Sequence, residues 1–281
     1  MRKKTLYFNR GGNPMLFSTT CKVPMPAIAP DRRKALFLAK RMLPEYVFDA
    51  SKLENNPITF PEVQTLMDGI TVGGHKVRDV QQVLNIRDAW VYLLEAVGHG
   101  KFHVSREFFC AIHARIAREE ALEWGVFRTG NVGIAGTSTY KAPDASTLET
   151  TFQSELPQLP ASNPVEYALS LFLWGAYNQF FWDGNKRTAR LMASGVLLNA
   201  GIGVFNIRAA DILEFNTRML KFYDTGNADH VLPFLAEKCV VYEALDDAYC
   251  QKPLDESKNN PESREFTPFD DFVRELRGNA K

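Results

Sequence analysis

The segment PVEYALSLFLWGAYNQFF, residues 164–181, constrains the fold more than any other part of the chain. Its side chains are apolar at almost every position, and Glu166 is its one charged residue. A helix that is apolar on all sides must be enclosed by other elements. Asn163 and Pro164 mark the start, because Asn caps helices and Pro fits the first helical turn. The sequence therefore predicts a central helix with the rest of the chain packed around it.

Helical patterns also dominate on the N-terminal side of this segment. Pro44 opens a helix that runs to Glu54, and Pro61 starts the next one at a position where its missing N–H does no harm. Apolar residues recur at spacings of three and four through residues 77–97, which indicates a long core helix. Ser105 caps another helix. We therefore predict an all-α, mainly helical fold.

One stretch departs from the helical pattern. Residues 127–144, FRTGNVGIAGTSTYKAPD, are rich in glycine and β-branched residues and alternate in polarity, which is typical of a β-hairpin. Residues 1–45 are predicted to form an N-terminal arm, residues 46–245 the main domain, and residues 246–281 a polar tail. Within the tail, residues 269–276 predict a short amphipathic helix.

Composition limits the classes of function. The chain has 281 residues with 33 basic and 33 acidic side chains, so no global field attracts nucleic acid or an anionic membrane. The basic N-terminus lacks the apolar run of a secretory signal, and the uncharged run 191–207 contains Asn and Gly residues that suit a buried helix and turn better than a membrane span. The four cysteines are far apart, as for buried thiols in a reducing compartment. We expect a cytoplasmic protein.

The stretch QFFWDGNKRTAR, residues 179–190, concentrates charge directly after the central helix. Asp183, Gly184 and Asn185 break that helix, and good helix formers follow, so the loop feeds a helix N-terminus with unpaired N–H groups that attract anions. Arg187 and Arg190 share one helical face and match phosphate oxygens. Asp183 offers an oxygen ligand of the kind Mg²⁺ takes beside phosphates. The alternative is an ordinary helix start with Asp183 as its cap and the arginines paired to surface carboxylates.

This stretch resembles the motif of the Fic family, H-x-F-x-D/E-G-N-G/K-R-x-x-R, and the likeness extends over about residues 45–245. Gln179 stands where the family has histidine. The matching positions are Phe181, Asp183, Gly184, Asn185, Arg187 and Arg190, with Lys186 at the position taken by Gly or Lys.

The resemblance implies a protein adenylyltransferase, which moves AMP from ATP to a hydroxyl group of a target protein. Residues 184–187 with Arg190 would bind ATP, and Asp183 would bind Mg²⁺. Arg187, Arg190 and the residue at position 179 would be the catalytic set. Gln179 cannot accept a proton as histidine does, and the loss of a general base costs about 10²–10⁴-fold in rate. None of the chain's five histidines is an evident substitute.

Two further segments carry the resemblance. Residues 131–140 correspond to the flap along which a target segment binds by strand addition, and Thr137 and Tyr140 are its candidates for nucleotide contact. The sequence Leu53-Glu54-Asn55-Asn56 resembles the inhibitory segment S/T-x-x-x-E-G/N-N, although position 50 is Ala. By resemblance, Glu54 would pair with Arg190 and exclude the γ-phosphate, since such a pair is strong enough to compete with phosphate.

Two other functions stay open at this point. Lys186 is shared with the Doc-like phosphotransferases, which are shorter and lack the inhibitory segment. A pseudoenzyme that uses its ATP site as a sensor, and its flap and residues 269–276 as an interaction surface, is the third hypothesis. The oligomeric state is also open, with a homodimer among the alternatives.

Overall fold

The computed structural model describes residues 5–8 and 14–242, and this part of the chain is mainly helical, which confirms the predicted fold class. Two antiparallel strand pairs, β1 with β2 and β3 with β4, accompany the helices. In chain order the elements are β1 Thr5–Phe8, β2 Pro14–Thr19, α1 Arg32–Arg41, α2 Leu43–Leu53, α3 Phe60–Met67, α4 Val77–Gly98, α5 Arg106–Ile116, α6 Leu148–Glu155, α7 Pro164–Asn178, α8 Asn185–Asn199, β3 Gly203–Phe205, α9 Ile212–Thr225, α10 Leu232–Phe234 and β4 Val240–Tyr242.

Helices α7 and α8 form the centre of the molecule, as the apolar segment predicted. Phe172, Leu173 and Trp174 of α7 are completely buried, and Asn163 caps the helix by accepting the Glu166 N–H. A Cβ atom on Gly175 would lie 3.0 Å from the Cβ of Ala189 in α8, so glycine permits this close approach of the two helices. Helices α4 and α5 pack against α8.

Asp49, near the middle of helix α2, anchors this helix to the core. The Asp49 carboxylate accepts hydrogen bonds from Asn206 Nδ2 at 2.7 Å and from the Ala209 N–H at 2.9 Å, and both donors follow β3. Charge-assisted hydrogen bonds of this kind are among the stronger ones in proteins. They hold the C-terminal end of α2, where Glu54 lies, in a defined position beside α8.

The predicted hairpin is wrong in its secondary structure. Residues 125–144 form an irregular loop with a turn closed by the Thr137 N–H on the Ile134 carbonyl at 3.3 Å. The backbone N–H groups of residues 138–140 donate to one carboxylate oxygen of Asp224 on α9, at 2.8, 2.8 and 3.2 Å. Because a hairpin needs such donors for its own ladder, the acidic side chain replaces the second strand. We call residues 131–140 the flap loop.

The remaining fold predictions have mixed outcomes. The uncharged run 191–207 forms α8, a turn and β3, and no helix among the described residues combines the length and apolar character needed to cross a membrane. Cys110 and Cys239 are buried thiols, whereas Cys21 is partly exposed. Cys250 and the predicted helix 269–276 lie outside the described residues.

Candidate active site

Two left-handed residues shape the loop between α7 and α8. Gln179 ends α7 with φ 48° and ψ 57°, and Gly184 begins α8 with φ 71°. A Cβ on Gly184 would also lie 3.0 Å from the Cβ of Ala117. Glycine is therefore required here both by its backbone angles and by the available space. Because Gly184 has no side chain to cap α8, the first N–H groups of this helix remain available to an anion.

Both the nitrogen and the oxygen of the Gln179 side-chain amide form hydrogen bonds. Its Nε2 donates to the Ala176 carbonyl at 2.6 Å, and its Oε1 accepts from Asn185 Nδ2 at 3.1 Å. Asn185 in turn accepts from the Phe181 N–H and donates to the Phe181 carbonyl, both at 2.8 Å. The two amides thus hold the loop in shape. The predicted role of Asn185 in binding phosphate stays a prediction.

His113 supports the loop between α7 and α8 through hydrogen bonds and a ring stack. Its Nδ1 accepts from the Gly125 N–H at 2.9 Å, so Nε2 carries the proton and donates to the Asp183 carbonyl at 2.9 Å. The ring stacks on Phe181 with centroids 3.8 Å apart. Burial lowers the pKa of His113 to about 4, which keeps the ring neutral near pH 7. His113 is thus a satisfied core histidine, and its sequence position gives no signal of this contact.

Arg187 lies almost fully buried among three carboxylates. Its Nη1 is 2.8 Å from Glu120 Oε2, its Nε is 3.5 Å from Glu54 Oε1, and its Nη2 is 3.8 Å from Asp183 Oδ1. Burial opposes the charge of the guanidinium, but the carboxylates, Glu54 first among them, outweigh burial and raise the pKa of Arg187. The first motif arginine is therefore held charged and in place.

Arg190 has a different environment. It is 4% exposed, and no hydrogen bond or ion pair joins its guanidinium to any residue of the described chain. Burial lowers the pKa of Arg190 to about 10, so the group stays charged near pH 7. A buried cation without a partner is costly. Such an arrangement is typical of a site that a ligand completes.

A small cavity connects the charged residues. Its lining is Leu53, Glu54, Lys186, Arg187 and Arg190, with Phe172, Ile207 and Phe215 as the apolar part, and its volume is about 10 Å³. A single water molecule needs at least about this much space. The cavity is thus of the size of one water molecule, and the Glu54 side chain forms part of its wall.

The position of Glu54 corrects one prediction. The sequence predicted a pair between Glu54 and Arg190, but the ion pair that Glu54 forms is with Arg187. The reason is geometric, because Glu54 caps the end of α2 and its carboxylate reaches the arginine one turn closer to the loop. Its charge still acts on Arg190 and raises the pKa of that guanidinium against the effect of burial.

Sequence reasoning missed Glu120, which follows α5. One of its carboxylate oxygens accepts both from Arg187 Nη1 and from Gln82 Nε2, each at 2.8 Å, and the other lies 3.3 Å from Asn85 Nδ2. A carboxylate in a charged run of sequence, Arg118-Glu119-Glu120, resembles any solvated surface position. Only the contact between the end of α5 and α8 distinguishes it.

Arg128 was also missed, and it joins the flap loop to the motif. Its guanidinium donates to the carbonyls of Gln179, Gly130 and Pro143 at 2.6, 2.6 and 2.5 Å. These carbonyls belong to the motif turn and to both ends of the loop that contains residues 131–140. One planar fork of donors thereby fixes three chain segments.

Thr137 and Tyr140 do not line the cavity. Thr137 Oγ1 donates to the Ile134 carbonyl at 2.7 Å, and the Tyr140 hydroxyl donates to the Tyr177 carbonyl of α7. Asp224 draws the flap loop toward α9, so Tyr140 packs against Tyr177 and Tyr223. The structure therefore does not bring these two predicted nucleotide contacts together with the motif arginines.

Asp183 is the residue of the motif that is most open to solvent, with 63% of its side chain exposed. The described residues contain no group of three His, Cys, Asp or Glu side chains that could hold a metal ion. This donor set fits Mg²⁺ only in the form in which one carboxylate binds the ion and phosphates and water complete its shell.

The loop, the buried arginines and the helix start all fall within a recognised family region. Residues 103–197 match the family model described as Fic/DOC family. This region of the chain is therefore similar to the Fic/DOC family. The matched region runs from just before α5 through most of α8, so it includes His113, the flap loop and the whole of the motif.

Several relatives with the name Protein adenylyltransferase Fic are similar to this chain. One from Nematostella vectensis is 22% identical over 233 residues, which are 81% of this chain and 53% of the relative. One from Aedes aegypti is 24% identical over 161 residues, or 56% of this chain and 32% of the relative. The chain thus spans about half, or less, of the length of these relatives.

Solved structures support the same fold. Fic-1 from C. elegans superposes with a TM-score of 0.58 at 18% identity, covering 73% of this chain and 68% of that one. A Fic domain containing signaling protein from Bacteroides thetaiotaomicron superposes with a TM-score of 0.59 at 16% identity, covering 73% of this chain and 85% of that one. At these identities the likeness establishes the Fic fold.

Proposed function

We propose that this chain binds Mg²⁺–ATP through its Fic motif and is built for AMP transfer to a hydroxyl group of a protein. The observation that carries the proposal is Arg190, a charged guanidinium that is buried without a partner among the described residues and lines a cavity together with Arg187 and Lys186. Phosphate oxygens are the partners that such guanidinium groups match best. The relatives named Protein adenylyltransferase Fic support the choice of reaction.

Different residues of the site would bind the phosphates and the metal ion. Arg190 and the unbonded Nε of Arg187 would bind phosphate oxygens, and the uncapped start of α8 would add backbone N–H donors. The exposed carboxylate of Asp183 would bind Mg²⁺. ATP supplies the AMP group, and Mg²⁺ supplies neutralisation of the phosphate charge.

Gln179 sets the level of activity. At this position the family has histidine, whereas the amide of Gln179 is neutral and is already bonded to Ala176 and Asn185. It can therefore neither accept a proton nor turn freely toward an incoming hydroxyl. We propose that AMP transfer by this chain is slower by about 10²–10⁴-fold than it would be with a positioned base.

Glu54 would inhibit the site from within the chain. The cavity of about 10 Å³ has no room for phosphate until the Glu54 carboxylate moves away from Arg187. Because Asn56 anchors the following backbone by donating to the Asp79 carbonyl at 2.8 Å, movement of the Glu54 side chain is easier than movement of the whole of α2. This is the autoinhibition that the sequence predicted, with Arg187 as the direct partner.

A target protein would bind along the flap loop. The N–H groups of residues 138–140 already serve Asp224, whereas no hydrogen bond engages the backbone of residues 131–133 within the described chain. We therefore place strand addition by a target segment on residues 131–133. Localisation in the cytoplasm remains part of the same proposal.

A second function, an ATP-binding pseudoenzyme, is favoured by one observation, the double engagement of the Gln179 amide. Titration of Mg²⁺–ATP into Glu54→Gly and into Glu54→Gly combined with Arg190→Met tests the site common to both functions. The second protein should bind at least about tenfold more weakly. Equal affinities would remove Arg190 from the nucleotide site and refute both functions.

Once ATP binding is established, the position of the labelled phosphate distinguishes adenylyl transfer from phosphoryl transfer. Glu54→Gly combined with Gln179→His is incubated with a cell lysate and ATP labelled at the α- or the γ-phosphate. Transfer of the α-label supports adenylyl transfer, transfer of the γ-label supports the Doc-like phosphotransferase, and transfer of neither supports the pseudoenzyme.

A further inference from the structure

We propose that Glu120 is a second restraining carboxylate, which lowers the affinity of the site for polyphosphate by occupying Nη1 of Arg187, whereas Glu54 lies beside Nε. The inference rests on the proposed nucleotide site. Arg187 Nη1 donates to Glu120 Oε2 at 2.8 Å and to the Ile116 carbonyl at 3.2 Å. Both hydrogens of this nitrogen are therefore used by protein acceptors. This part of the fork is closed to phosphate in the present arrangement.

Glu120 is held more firmly than Glu54. Gln82 Nε2 donates to Oε2 at 2.8 Å, and Asn85 Nδ2 lies 3.3 Å from Oε1. Asn85 is itself 2% exposed and donates to the Arg118 carbonyl at 2.8 Å. By contrast, no hydrogen bond to the Glu54 carboxylate is found within the described residues, and its ion pair with Arg187 is 3.5 Å long. Glu120 therefore stays on Arg187 when Glu54 moves away.

A chain of hydrogen bonds links Glu120 to the segment that follows Glu54. Asn56, two residues after Glu54, donates through Nδ2 to Gln82 Oε1 at 3.0 Å, and the Nε2 of the same amide donates to Glu120. These contacts fix the orientation of the Gln82 amide, because its oxygen accepts from Asn56 and its nitrogen donates to Glu120. Helix α4 thus holds the Glu120 carboxylate directly and contacts the segment after Glu54 only through Asn56.

The charges show why Glu120 limits affinity. Lys186, Arg187 and Arg190 give the site three positive charges, and Glu54, Glu120 and Asp183 give it three negative ones. Removal of the Glu54 charge leaves a net charge of one positive unit, since three minus two is one, and removal of both glutamate charges leaves two. In a poorly hydrated site each such change acts strongly on an anion.

The test uses Mg²⁺–ATP affinity, measured by calorimetry, for the wild type, Glu54→Gln, Glu120→Gln and the double variant. We expect the double variant to bind about tenfold more tightly than Glu54→Gln, as for a charge-assisted contact that becomes available to phosphate. Glu119→Gln in the Glu54→Gln background is the matched control. It removes the same charge from the neighbouring residue, whose side chain is 61% exposed, and should change affinity by less than about twofold.

The outcomes separate the inference from the function on which it rests. If the double variant binds no more tightly than Glu54→Gln, while Arg190→Met still weakens binding, the restraint by Glu120 is refuted and the nucleotide site stands. If no variant binds ATP, both are refuted. Should Glu120→Gln unfold, Glu120→Met in the Glu54→Gln background, which keeps the length of the side chain without its charge, carries the same expectation.

Discussion

Glu54 Oε1 lies 3.5 Å from Arg187 Nε, and this buried nitrogen forms no hydrogen bond with any residue that the structure describes. The two groups are thus close enough to attract each other but not aligned for the bidentate contact that guanidinium and carboxylate form at their strongest. In the proposed function, an incomplete contact of this kind would block the nucleotide site and could still be replaced by a phosphate oxygen. A phosphate oxygen could satisfy Arg187 Nε better than Glu54 does.

Replacement of Glu54 by Gln should therefore increase affinity for Mg²⁺–ATP. The change removes a negative charge next to Arg187 and keeps the size of the side chain, so we expect a gain of about tenfold, or about 1.4 kcal/mol. Calorimetry of the wild type and the variant measures it. Lower affinity in Glu54→Gln would show that Glu54 helps to build the site instead of blocking it.

The two motif arginines should respond in opposite ways to loss of charge. Arg190→Met removes a buried charge that has no partner within residues 5–8 and 14–242, so the free energy of unfolding should stay the same or rise by about 1 kcal/mol. Arg187→Met leaves the Glu120 carboxylate without its cation, next to an apolar side chain. It should lower the free energy of unfolding by about 3 kcal/mol. Urea unfolding measures both. A large loss of stability in Arg190→Met would reveal a structural partner for that guanidinium.

The pH dependence of stability should report on His113. Its pKa is lowered to about 4 in the folded protein by burial, below its value of about 6.5 in the unfolded chain. The unfolded state therefore binds the proton first. His113 contributes stability that is fully present above about pH 6.5 and is lost as the pH falls from there toward 4, by an amount on the order of 3 kcal/mol.

His113→Phe keeps the stack on Phe181 and removes the titration. The variant should be less stable at pH 7 by about 1–3 kcal/mol, because the Gly125 N–H and the Asp183 carbonyl lose their partner. Its stability should nevertheless fall less between pH 7 and pH 5 than that of the wild type. Identical pH profiles for the two proteins would assign the acid sensitivity to other groups.

Asp224→Asn should loosen the flap loop without unfolding the core. The carboxylate accepts from the N–H groups of residues 138–140, and these hydrogen bonds lower the pKa of Asp224, with that from Thr139 as the largest cause. The amide loses the charge that strengthens them. Hydrogen exchange of residues 138–140 should accelerate by about tenfold, while exchange in α7 should stay unchanged. Unchanged exchange in the loop would contradict the role of Asp224.

Local signals explain which parts of the fold were predictable. Asn163, Ser105 and Pro44 mark helix starts by their own chemistry, and the structure begins α7, α5 and α2 at these places. The flap loop was mispredicted because its N–H donors are satisfied by Asp224, more than 80 positions later in the chain. No pattern within residues 127–144 contains that information.

The candidate site was likewise only partly predictable from the sequence. The loop at Gly184 and the helix start with Arg187 and Arg190 follow from neighbouring residues, so the motif predicted them. Glu120 and Arg128 act through contacts with Arg187 and with the Gln179 carbonyl, which depend on how α5 and the flap loop meet the α7–α8 loop. Such contacts between segments that are distant in sequence appear only in the folded chain.

The central claim is that the site lacks one chemical part, a base at position 179. Glu54→Gly with Gln179→His should transfer α-labelled AMP to protein at least about 10²-fold faster than Glu54→Gly alone, and addition of Arg190→Met should abolish the gain. If the histidine variant binds Mg²⁺–ATP and labels no more protein than Glu54→Gly, the claim is contradicted, and the site binds nucleotide without transferring it.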